Sequence, residues 1–351
     1  MEKKCLEKLI CNVIRNVIKL DPLRPITDLV ELYASNGVLH VGATDGSTRI
    51  VGTVDTDAEF DNIVVSLSKL TKLINLTTKD KISFKVVDGY LQFRGNGNYK
   101  IPEQLSESGG KIFLKLSMPD FDAEPIEVNI DGLNTAITRN SLSLYNGDAQ
   151  PFLRRYCHKD GYIITTDCAT MCVSKGTLPL DEMYPKMVQQ LSYMPDTFKF
   201  LDTGSGYRIE CGNIKMFMLL ERATGFPVDI IRPFLELPTT VTNKVNIDKN
   251  ELLGLIKRAE LFISTLETTP SVFFSASNSI ITVHSNDETF SEVLNADIVN
   301  ISDFSMRFSL KHLGNFLRKV NGNLTLYFGD KLMVVEDELG FYVLSVLGEN
   351  N

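Results

Sequence analysis

The side chains that could bind a metal ion or act as nucleophiles are scattered along the sequence. No Cys-x-x-Cys pair is present, and the histidines stand far apart at positions 40, 158, 284 and 312. Zinc sites need closely spaced ligand pairs, so we predict no metal site and no cofactor. We interpret the cysteines as reduced, mostly buried thiols; they are Cys5, Cys11, Cys157, Cys168, Cys172 and Cys211.

One short stretch, LDTGSG at 201–206, resembles the Asp-Thr-Gly-Ser sequence of aspartic proteases. That chemistry needs two carboxylates that share a proton. The nearest second copy, TDGST at 44–48, has its residues in a different order. We therefore interpret 201–206 as a hairpin turn between two strands. An aspartic-protease-like hydrolase is a distant alternative, in which Asp202→Asn would abolish activity.

Other enzyme motifs are missing from the sequence. It contains no Gly-x-x-x-x-Gly-Lys-Ser/Thr loop for nucleotide phosphates, no Gly-x-Ser-x-Gly and no His-Glu-x-x-His. The glycine-rich GNGN at 95–98 lies between two predicted strands, so it is a turn and not a phosphate-binding loop at a helix start. We predict that the protein is not an enzyme.

Lysine and arginine are concentrated on six segments with helical periodicity. These segments contain 16 Lys and Arg residues against four Asp and Glu, although the whole chain has a net charge of −8. Any amphipathic helix has a charged face, but one sign on six helices of an acidic chain indicates a surface that attracts phosphates regardless of base sequence. The segments are 2–19, 67–79, 132–143, 184–194, 249–260 and 310–320.

The basic residues form a narrow stripe on the first helical segment. At the α-helical rotation per residue, Lys4, Lys8, Arg15 and Lys19 fall within about 60° of one another, opposite the apolar side chains. Lys311, Arg318 and Lys319 are arranged similarly on the last segment. Aromatic residues do not interleave with these cations, so stacking on single-stranded bases is not indicated. The pattern favours duplex DNA lying against the helices.

The sequence repeats one plan three times, and each repeat has two halves. A helix precedes antiparallel strands in every half, as the alternation of apolar residues shows. This predicts an α+β fold with three domains, at 1–121, 122–238 and 239–351. The predicted helices are Leu6–Val17, Leu67–Leu76, Gly132–Ser143, Tyr184–Met194, Glu251–Phe262 and Leu310–Val320.

The composition is that of an ordinary globular protein. The 351 residues are 43% hydrophobic and 23% charged, and no apolar run approaches the roughly 20 residues that span a bilayer. Six charged residues from Lys3 to Lys19 interrupt the apolar residues of the N-terminal segment, so it does not read as a secretion signal. We predict a cytoplasmic protein with no membrane contact.

Four segments are similar to the bacterial replicase sliding clamp, the β subunit of the polymerase holoenzyme. They are NGVLHVGATDGSTRI (36–50), ITTDCATMCV (164–173), LLERATGFPVDIIRPF (219–234) and GFYVLSVL (340–347). The specificity lies in their order, their spacing and the threefold repetition. The resemblance covers nearly the whole chain and implies a three-domain DNA clamp fold, with helices lining a channel and antiparallel sheets outside.

The resemblance also implies a function and partners. The chain would be a DNA polymerase processivity factor: a head-to-tail homodimer ring that encircles double-stranded DNA without sequence preference, is loaded by a clamp-loader ATPase and tethers a DNA polymerase. Its divergence would suit a phage-encoded or otherwise outlying clamp, in the cytoplasm of a bacterial or phage-infected bacterial cell. The alternative is a clamp-like scaffold for transcription or repair factors on DNA.

Three sets of residues carry the expected roles. The channel set follows from the basic stripes, and the other two are transferred from the family by alignment. The channel residues are Lys4, Lys8, Arg15, Lys19, Lys69, Lys72, Lys257, Arg258, Lys311, Arg318 and Lys319. The partner-peptide pocket would consist of Leu153, Thr166, Met171, Val173, Pro227, Val343, Val346 and Leu347. The dimer interface would contain exposed apolar residues, namely Tyr99, Ile101, Leu261 and Phe262.

The sequence departs from the family at three places. Cys168, Ala169 and Thr170 stand where Gly-His-Arg is expected, which alters the polar contacts of the pocket. Only Met1–Lys4 precede the first helix, so the opening strand of the first domain is expected to be missing or truncated. The chain also continues as 348–351 beyond the last predicted strand.

Overall fold

The computed structural model describes residues 1–119, 124–219, 225–263 and 269–348. The described residues form two compact units. The first contains Met1–Ile130 and Lys186–Glu221, and the second contains Asp131–Pro185 and Arg222–Asn351. The predicted middle domain thus supplies residues to both units, and its predicted start at 122 lies outside the described residues. The division into three domains stays a prediction.

Strands account for most of the regular structure, as the alternating apolar residues predict. In chain order they are β1 Leu29–Ser35, β2 Val38–Thr44, β3 Thr48–Asp55, β4 Phe60–Ser66, β5 Ser83–Val87, β6 Tyr90–Arg94, β7 Asn98–Pro102, β8 Ile126–Asn129, β9 Tyr156–Lys159, β10 Tyr162–Thr166, β11 Thr170–Lys175, β12 Glu182–Met183, β13 Thr197–Asp202, β14 Gly206–Cys211, β15 Ile214–Leu219, β16 Lys244–Asp248, β17 Ser271–Ser277, β18 Ile280–His284, β19 Ser291–Val293, β20 Asp297–Asn300, β21 Phe304–Ser309, β22 Asn323–Gly329, β23 Leu332–Asp337 and β24 Gly340–Ser345.

A helix lies at each of the six predicted places. The first has a π-helical middle, Glu7–Ile14, between the α-helical turns Lys3–Leu6 and Arg15–Val17. The other five are Leu67–Leu76, Leu133–Asn140, Pro185–Leu191, Lys249–Phe262 and Leu310–Leu317. Further short helices are Pro25–Asp28, Ser141–Ser143, Pro151–Leu153, Val228–Leu235 and Leu237–Thr240. Within the described ranges, none of the helices combines the length and apolar character that a bilayer crossing requires.

Each unit contains one large antiparallel sheet and one small one. In the first unit the orders are β4-β1-β2-β3-β15-β14-β13-β8 and β5-β6-β7. In the second they are β12-β9-β10-β11-β24-β23-β22-β16-β20 and β19-β18-β17-β21. Each large sheet therefore joins strands from two sequence repeats, at the β3–β15 pair and the β11–β24 pair. The predicted α+β class is confirmed.

Left-handed residues form the tight turns of three hairpins. Asn36-Gly37, Asp88-Gly89 and Asp160-Gly161 all have positive φ at both positions. This turn geometry matches the twist of antiparallel strands and favours Asn-Gly and Asp-Gly sequences. These dipeptides fix the register of β1–β2, β5–β6 and β9–β10. LDTGSG at 201–206 is likewise the turn between β13 and β14.

The N-terminal residues pair with the start of the β5 region. The Met1 amino group donates to the Ile82 carbonyl oxygen at 3.1 Å, and the Lys3 N–H donates to the Asp80 carbonyl oxygen at 2.7 Å. Glu2 and Lys81 form a single antiparallel bridge. A one-residue bridge, not a strand, thus precedes the first helix.

The core of the second unit contains a buried ion pair. Arg139 Nη1 lies 2.8 and 2.9 Å from the two carboxylate oxygens of Asp337, and both side chains are almost fully buried. The guanidinium also lies over the Phe316 ring at 5.5 Å. Arg139 belongs to one of the six basic helical segments, but its burial removes it from the surface charge.

We expect the loss of either partner of this pair to destabilise the second unit strongly. Removing one charge leaves the other buried without its counter-ion, which typically costs about 3–5 kcal/mol. Asp337→Asn should therefore lower the urea midpoint markedly, and Arg139→Met together with Asp337→Asn should lower it less. Urea unfolding followed by circular dichroism measures these variants and Arg139→Met alone. A double variant as unstable as the sum of its single variants would contradict the pairing.

Candidate peptide-binding cavity and nucleic-acid interface

A cavity of about 440 Å³ opens on the second unit beside β11 and β24. Three separate parts of the chain enclose it: the turn between β10 and β11, the short helix Pro151–Leu153, and the helix Val228–Leu235. The lining residues are Gln150, Phe152, Leu153, Thr166, Cys168, Ala169, Thr170, Met171, Gly225, Pro227, Ile230, Ile231, Phe234, Val343 and Ser345.

The turn between β10 and β11 is held by a dense set of hydrogen bonds. Asp167 Oδ1 accepts from the N–H of Thr170 at 2.7 Å and from its hydroxyl at 2.9 Å. The Thr166 hydroxyl donates to the Thr170 carbonyl oxygen at 2.7 Å. Thr170 also bonds to the buried Ser143 hydroxyl at 2.8 Å. This turn is therefore a rigid edge of the cavity.

Cys168 lies at the mouth of the cavity in a left-handed backbone conformation, with φ of 75°. Its thiol donates to the Gln150 side-chain carbonyl oxygen at 3.1 Å. The corresponding turn between β2 and β3 has glycine, Gly46, with φ of 91° at the equivalent position. Cysteine thus occupies a position whose backbone favours glycine.

We expect Cys168→Gly to stabilise the second unit. Relief of left-handed strain is worth about 1–2 kcal/mol and exceeds the entropic cost of glycine, about 0.5–1 kcal/mol. A higher urea midpoint would show this. Cys5→Gly is the matched control, because it places glycine at an exposed position of the first helix and should lower the midpoint. A lower midpoint for Cys168→Gly would contradict the assignment of strain.

The cavity has an apolar interior and an uncharged polar rim. Among the described residues, no charged side chain lines it; the polar groups are those of Gln150, Thr166, Cys168, Thr170 and Ser345. Ile230 is 74% exposed at the rim, whereas Ile231 is buried. Apolar depth with a few orienting polar groups is the usual character of a site for a short apolar peptide.

Five of the eight residues predicted for the pocket line this cavity: Leu153, Thr166, Met171, Pro227 and Val343. Val173 does not; it is 1% exposed and belongs to the same core cluster as Met171. Val346 and Leu347 do not line it either: Val346 packs against the other core cluster of the second unit, and the N–H groups of the two residues bond to the carbonyl oxygens of Lys331 and Arg307. The sequence prediction missed the helix Val228–Leu235, although its amphipathic pattern was a usable signal.

The basic residues predicted for a DNA channel are nearly all exposed. In the first unit, Lys4, Lys8, Lys19, Lys69 and Lys72 are exposed, and Arg15 is half-buried. In the second unit, Lys257, Arg258, Lys311, Arg318 and Lys319 are exposed.

Two of these cations already have carboxylate partners. Arg258 is paired with Glu292, and Arg318 Nη2 lies 2.9 Å from Glu260. Within the part of the chain that the structure describes, the eight lysines of the set form no ion pair. They are Lys4, Lys8, Lys19, Lys69, Lys72, Lys257, Lys311 and Lys319. Apart from Arg15, the cations of the predicted set that have no carboxylate partner in the described part of the chain are therefore lysines.

The residues predicted for a dimer interface divide into two groups. Leu261 and Phe262 end the helix Lys249–Phe262 and are 80% and 58% exposed, and Tyr99 on the edge strand β7 is also exposed. Ile101 was expected to be exposed, but it is 3% exposed. It faces the opposite side of β7 from Lys100 and pairs with Leu91 within the small sheet. Ile101 is therefore core.

The fold is that of the bacterial sliding clamps. The chain matches DNA polymerase III β subunits from Thermotoga maritima (14% identity, TM-score 0.77) and Streptococcus pneumoniae (14%, 0.76), and the sliding clamp from Bacillus subtilis (16%, 0.74). Each match covers 99% of this chain and 98% of the other. No protein-family profile and no curated protein sequence matches the chain. The resemblance inferred from sequence is thus confirmed as a likeness of fold.

Proposed function

We propose that the protein is a DNA sliding clamp: two copies close a ring around duplex DNA, and the cavity of the second unit holds a DNA polymerase. The main support is the fold, which agrees with sliding clamps over almost the full length of both chains. The role needs no catalysis by the chain itself. A protein with this role would be located on DNA, in the cytoplasm of a bacterial or phage-infected cell.

The internal repeats indicate how two copies would join. In the first repeat, β3 follows the turn after β2 and pairs with β15, the last strand of the second repeat. In the second repeat, β11 follows the turn after β10 and pairs with β24, the last strand of the third repeat. The equivalent strand of the third repeat is β19, and the last strand of the first repeat is β7. Both are edge strands in their own sheets. We infer that β19 of one copy pairs with β7 of another, which gives a head-to-tail contact.

The register of this contact follows from the same equivalence. Thr48 pairs with Met218, and Thr170 pairs with Leu344. Phe290 of the third repeat is equivalent to Thr48 of the first repeat. The carbonyl oxygen of each residue accepts a hydrogen bond from a hydroxyl group at the start of the turn, that of Ser285 for Phe290 and that of Thr44 for Thr48. Pro102 is the first-repeat equivalent of Met218 and Leu344, because each is the fifth residue of the last strand of its repeat. Counting from Phe290 opposite Pro102 places Val293 opposite Tyr99 and Glu292 opposite Lys100. The first pair is exposed and apolar, and the second has opposite charges.

The DNA contact would be electrostatic and loose. Six of the eight lysines without ion pairs stand on helices, and Lys19 and Lys319 each lie two residues beyond a helix end. Flexible ammonium groups attract phosphates without reading bases. A clamp must slide, so its affinity for duplex should be weak at physiological salt. The acidic remainder of the chain would discourage binding elsewhere.

A threading experiment tests the proposed ring. The protein is mixed at low salt with a linear duplex that has biotin at both ends, and streptavidin is added before or after the protein. A ring is trapped on the DNA only when streptavidin is added after the protein, because blocked ends keep a ring from threading on or sliding off. A restriction cut between the two ends should then release the trapped ring at high salt. Equal retention in either order of addition would refute encirclement.

Charge reversal should separate the channel lysines from other lysines. Lys8→Glu with Lys72→Glu should weaken duplex binding at least tenfold and reduce the slope of log affinity against log salt by about 0.9 per lost phosphate contact. Lys85→Glu with Lys159→Glu is the control, because these exposed lysines lie on strands β5 and β9. Fluorescence anisotropy with a labelled duplex measures both. Equal losses in the two variants would contradict the proposed path.

The proposed protein partners are a DNA polymerase, bound through the cavity, and a clamp-loader ATPase. Primer extension on a long circular template, with and without the protein, tests the polymerase. Longer products per binding event would support the processivity role. Retention on DNA without any effect on extension would instead favour a scaffold for transcription or repair factors.

A further inference from the structure

We propose that Glu182 is a positioning residue for the cavity: it fastens the chain at Gly225 and Phe226, so that the wall formed by Pro227, Ile230 and Ile231 is in place before a partner arrives. The inference rests on the proposed function of the cavity, since it concerns how that site is kept ready. Glu182 itself does not line the cavity.

Both carboxylate oxygens of Glu182 are engaged. Oε1 accepts the N–H groups of Gly225 and Phe226, each at 3.1 Å. Oε2 lies 3.0 Å from Arg155 Nη1, and the guanidinium of Arg155 lies over the Tyr184 ring at 5.4 Å. Glu182 is held in turn by strand β12, which pairs with β9 through Cys157. One partly buried carboxylate thus joins the wall segment to the large sheet.

Gly225 and Phe226, the two residues that Glu182 holds, determine where the cavity wall begins. Gly225 has φ of 95°, which turns the chain into the helix Val228–Leu235. Phe226 is buried in the same core cluster as Leu153, Met171 and Val343. Beyond it, Pro227, Ile230 and Ile231 reach the cavity. A shift of the two amides would therefore move the apolar surface that a peptide contacts.

A similar contact occurs in the first unit. Glu31 Oε2 on β1 accepts the N–H of Leu114 at 2.7 Å, and Leu114 is buried. In both units, then, a strand carboxylate binds the backbone of a segment that follows the last strand of a repeat. The contact in the first unit is useful experimentally, because it resembles that of Glu182 but lies in a different unit from the cavity.

The physical consequence is preorganisation. A loose wall must be ordered when a peptide binds, and the ordering cost is subtracted from the affinity. Charge-assisted hydrogen bonds to two adjacent amides are stronger than neutral ones and restrain the backbone directly. Loss of the carboxylate should therefore weaken binding although no contact with the peptide is removed.

The test needs a probe known to occupy the cavity. An acetylated, amidated, fluorescein-labelled hexapeptide is selected from a random library against the wild-type protein. It is retained only if it protects the Cys168 thiol from maleimide. Its dissociation constant is then measured for Glu182→Ala, Glu182→Gln, Asp181→Asn and Glu31→Gln. Asp181 is the exposed neighbour of Glu182 with the same charge.

We expect Glu182→Ala to bind the probe about tenfold more weakly, with faster hydrogen exchange at the Gly225 and Phe226 amides. Glu182→Gln should recover part of the affinity, because its amide oxygen can still accept both N–H groups. If Glu182→Ala does not fold, the affinity and the hydrogen exchange of Glu182→Gln are compared with those of the wild type instead. Asp181→Asn and Glu31→Gln should bind as the wild type does.

Wild-type affinity for a folded Glu182→Ala, or unchanged exchange at the two amides, would overturn the inference. Failure to find any peptide that protects Cys168 would instead count against the proposed cavity function. In that case, exchange at Gly225 and Phe226 still decides whether Glu182 positions the wall.

Discussion

Changing Leu261 and Phe262 together to aspartate is expected to give a monomer of 39.3 kDa that is not retained on end-blocked DNA. Both side chains are largely exposed at the end of the helix Lys249–Phe262. The ring centroids of Phe262 and Phe290 lie 6.0 Å apart, and Phe290 is the residue that leads into β19. In the proposed contact, a second copy covers this apolar surface. Two buried carboxylates without partners would oppose such a contact by several kcal/mol.

Light scattering at tens of micromolar measures the mass of the variant against the wild type. Leu23→Asp with Ile126→Asp is the matched control, since both are exposed aliphatic residues of the first unit outside the small sheet that contains β7. The control should keep the wild-type mass. A wild-type monomer at this concentration would refute the proposed assembly.

The register can be checked independently of the mass. A chain with Tyr99→Cys and Val293→Cys should form a covalent dimer on oxidation, because directly opposed residues of an antiparallel pair have Cβ atoms about 4.5–5.5 Å apart. Lys100→Cys with Val293→Cys places the thiols on opposite faces and should cross-link poorly. Equal cross-linking would mean that the register is different.

Changing Ile230 to aspartate is expected to abolish binding of the cavity peptide and stimulation of the polymerase. Ile230 lines the cavity yet is 74% exposed, so the protein should fold with a charge there. Met171 is a poorer choice because it is 5% exposed within the core, and a carboxylate at that position would destabilise the unit. A buried apolar anchor at an interface contributes about 2 kcal/mol or more, so affinity should fall at least thirtyfold.

Titration with the Cys168-protecting peptide, followed by primer extension on a circular template, measures the effect. Ile126→Asp is the control, since Ile126 is an exposed isoleucine on β8 of the first unit. Peptide binding by the wild type should change little between low and high salt, because no charged side chain among the described residues lines the cavity. Full processivity of a folded Ile230→Asp ring would place the polymerase site elsewhere.

Local patterns in the sequence determined the elements and their order. The helix Leu67–Leu76 has its predicted bounds, and LDTGSG at 201–206 forms the hairpin turn that was predicted for it. These features depend on neighbours a few residues apart, through side-chain periodicity and backbone conformation. The concentration of lysine on the helices was also predictable from the sequence, because the charge of a residue and its angular position around a helix both follow from the sequence alone. Threefold repetition indicated the α+β class, and the resemblance of four segments to a known family implied the clamp fold.

Only the tertiary structure decided which residues share a surface. The cavity combines segments near 150, 168, 230 and 344, and strand pairing between β11 and β24 brings the last of these to Met171. Ile101 and Tyr99 are alike in sequence terms, as apolar residues on one edge strand, yet Ile101 packs against the core. Arg139 has the charge of a channel residue but lies buried against Asp337. Burial and pairing depend on what packs against each side chain, and those neighbours come from distant parts of the chain.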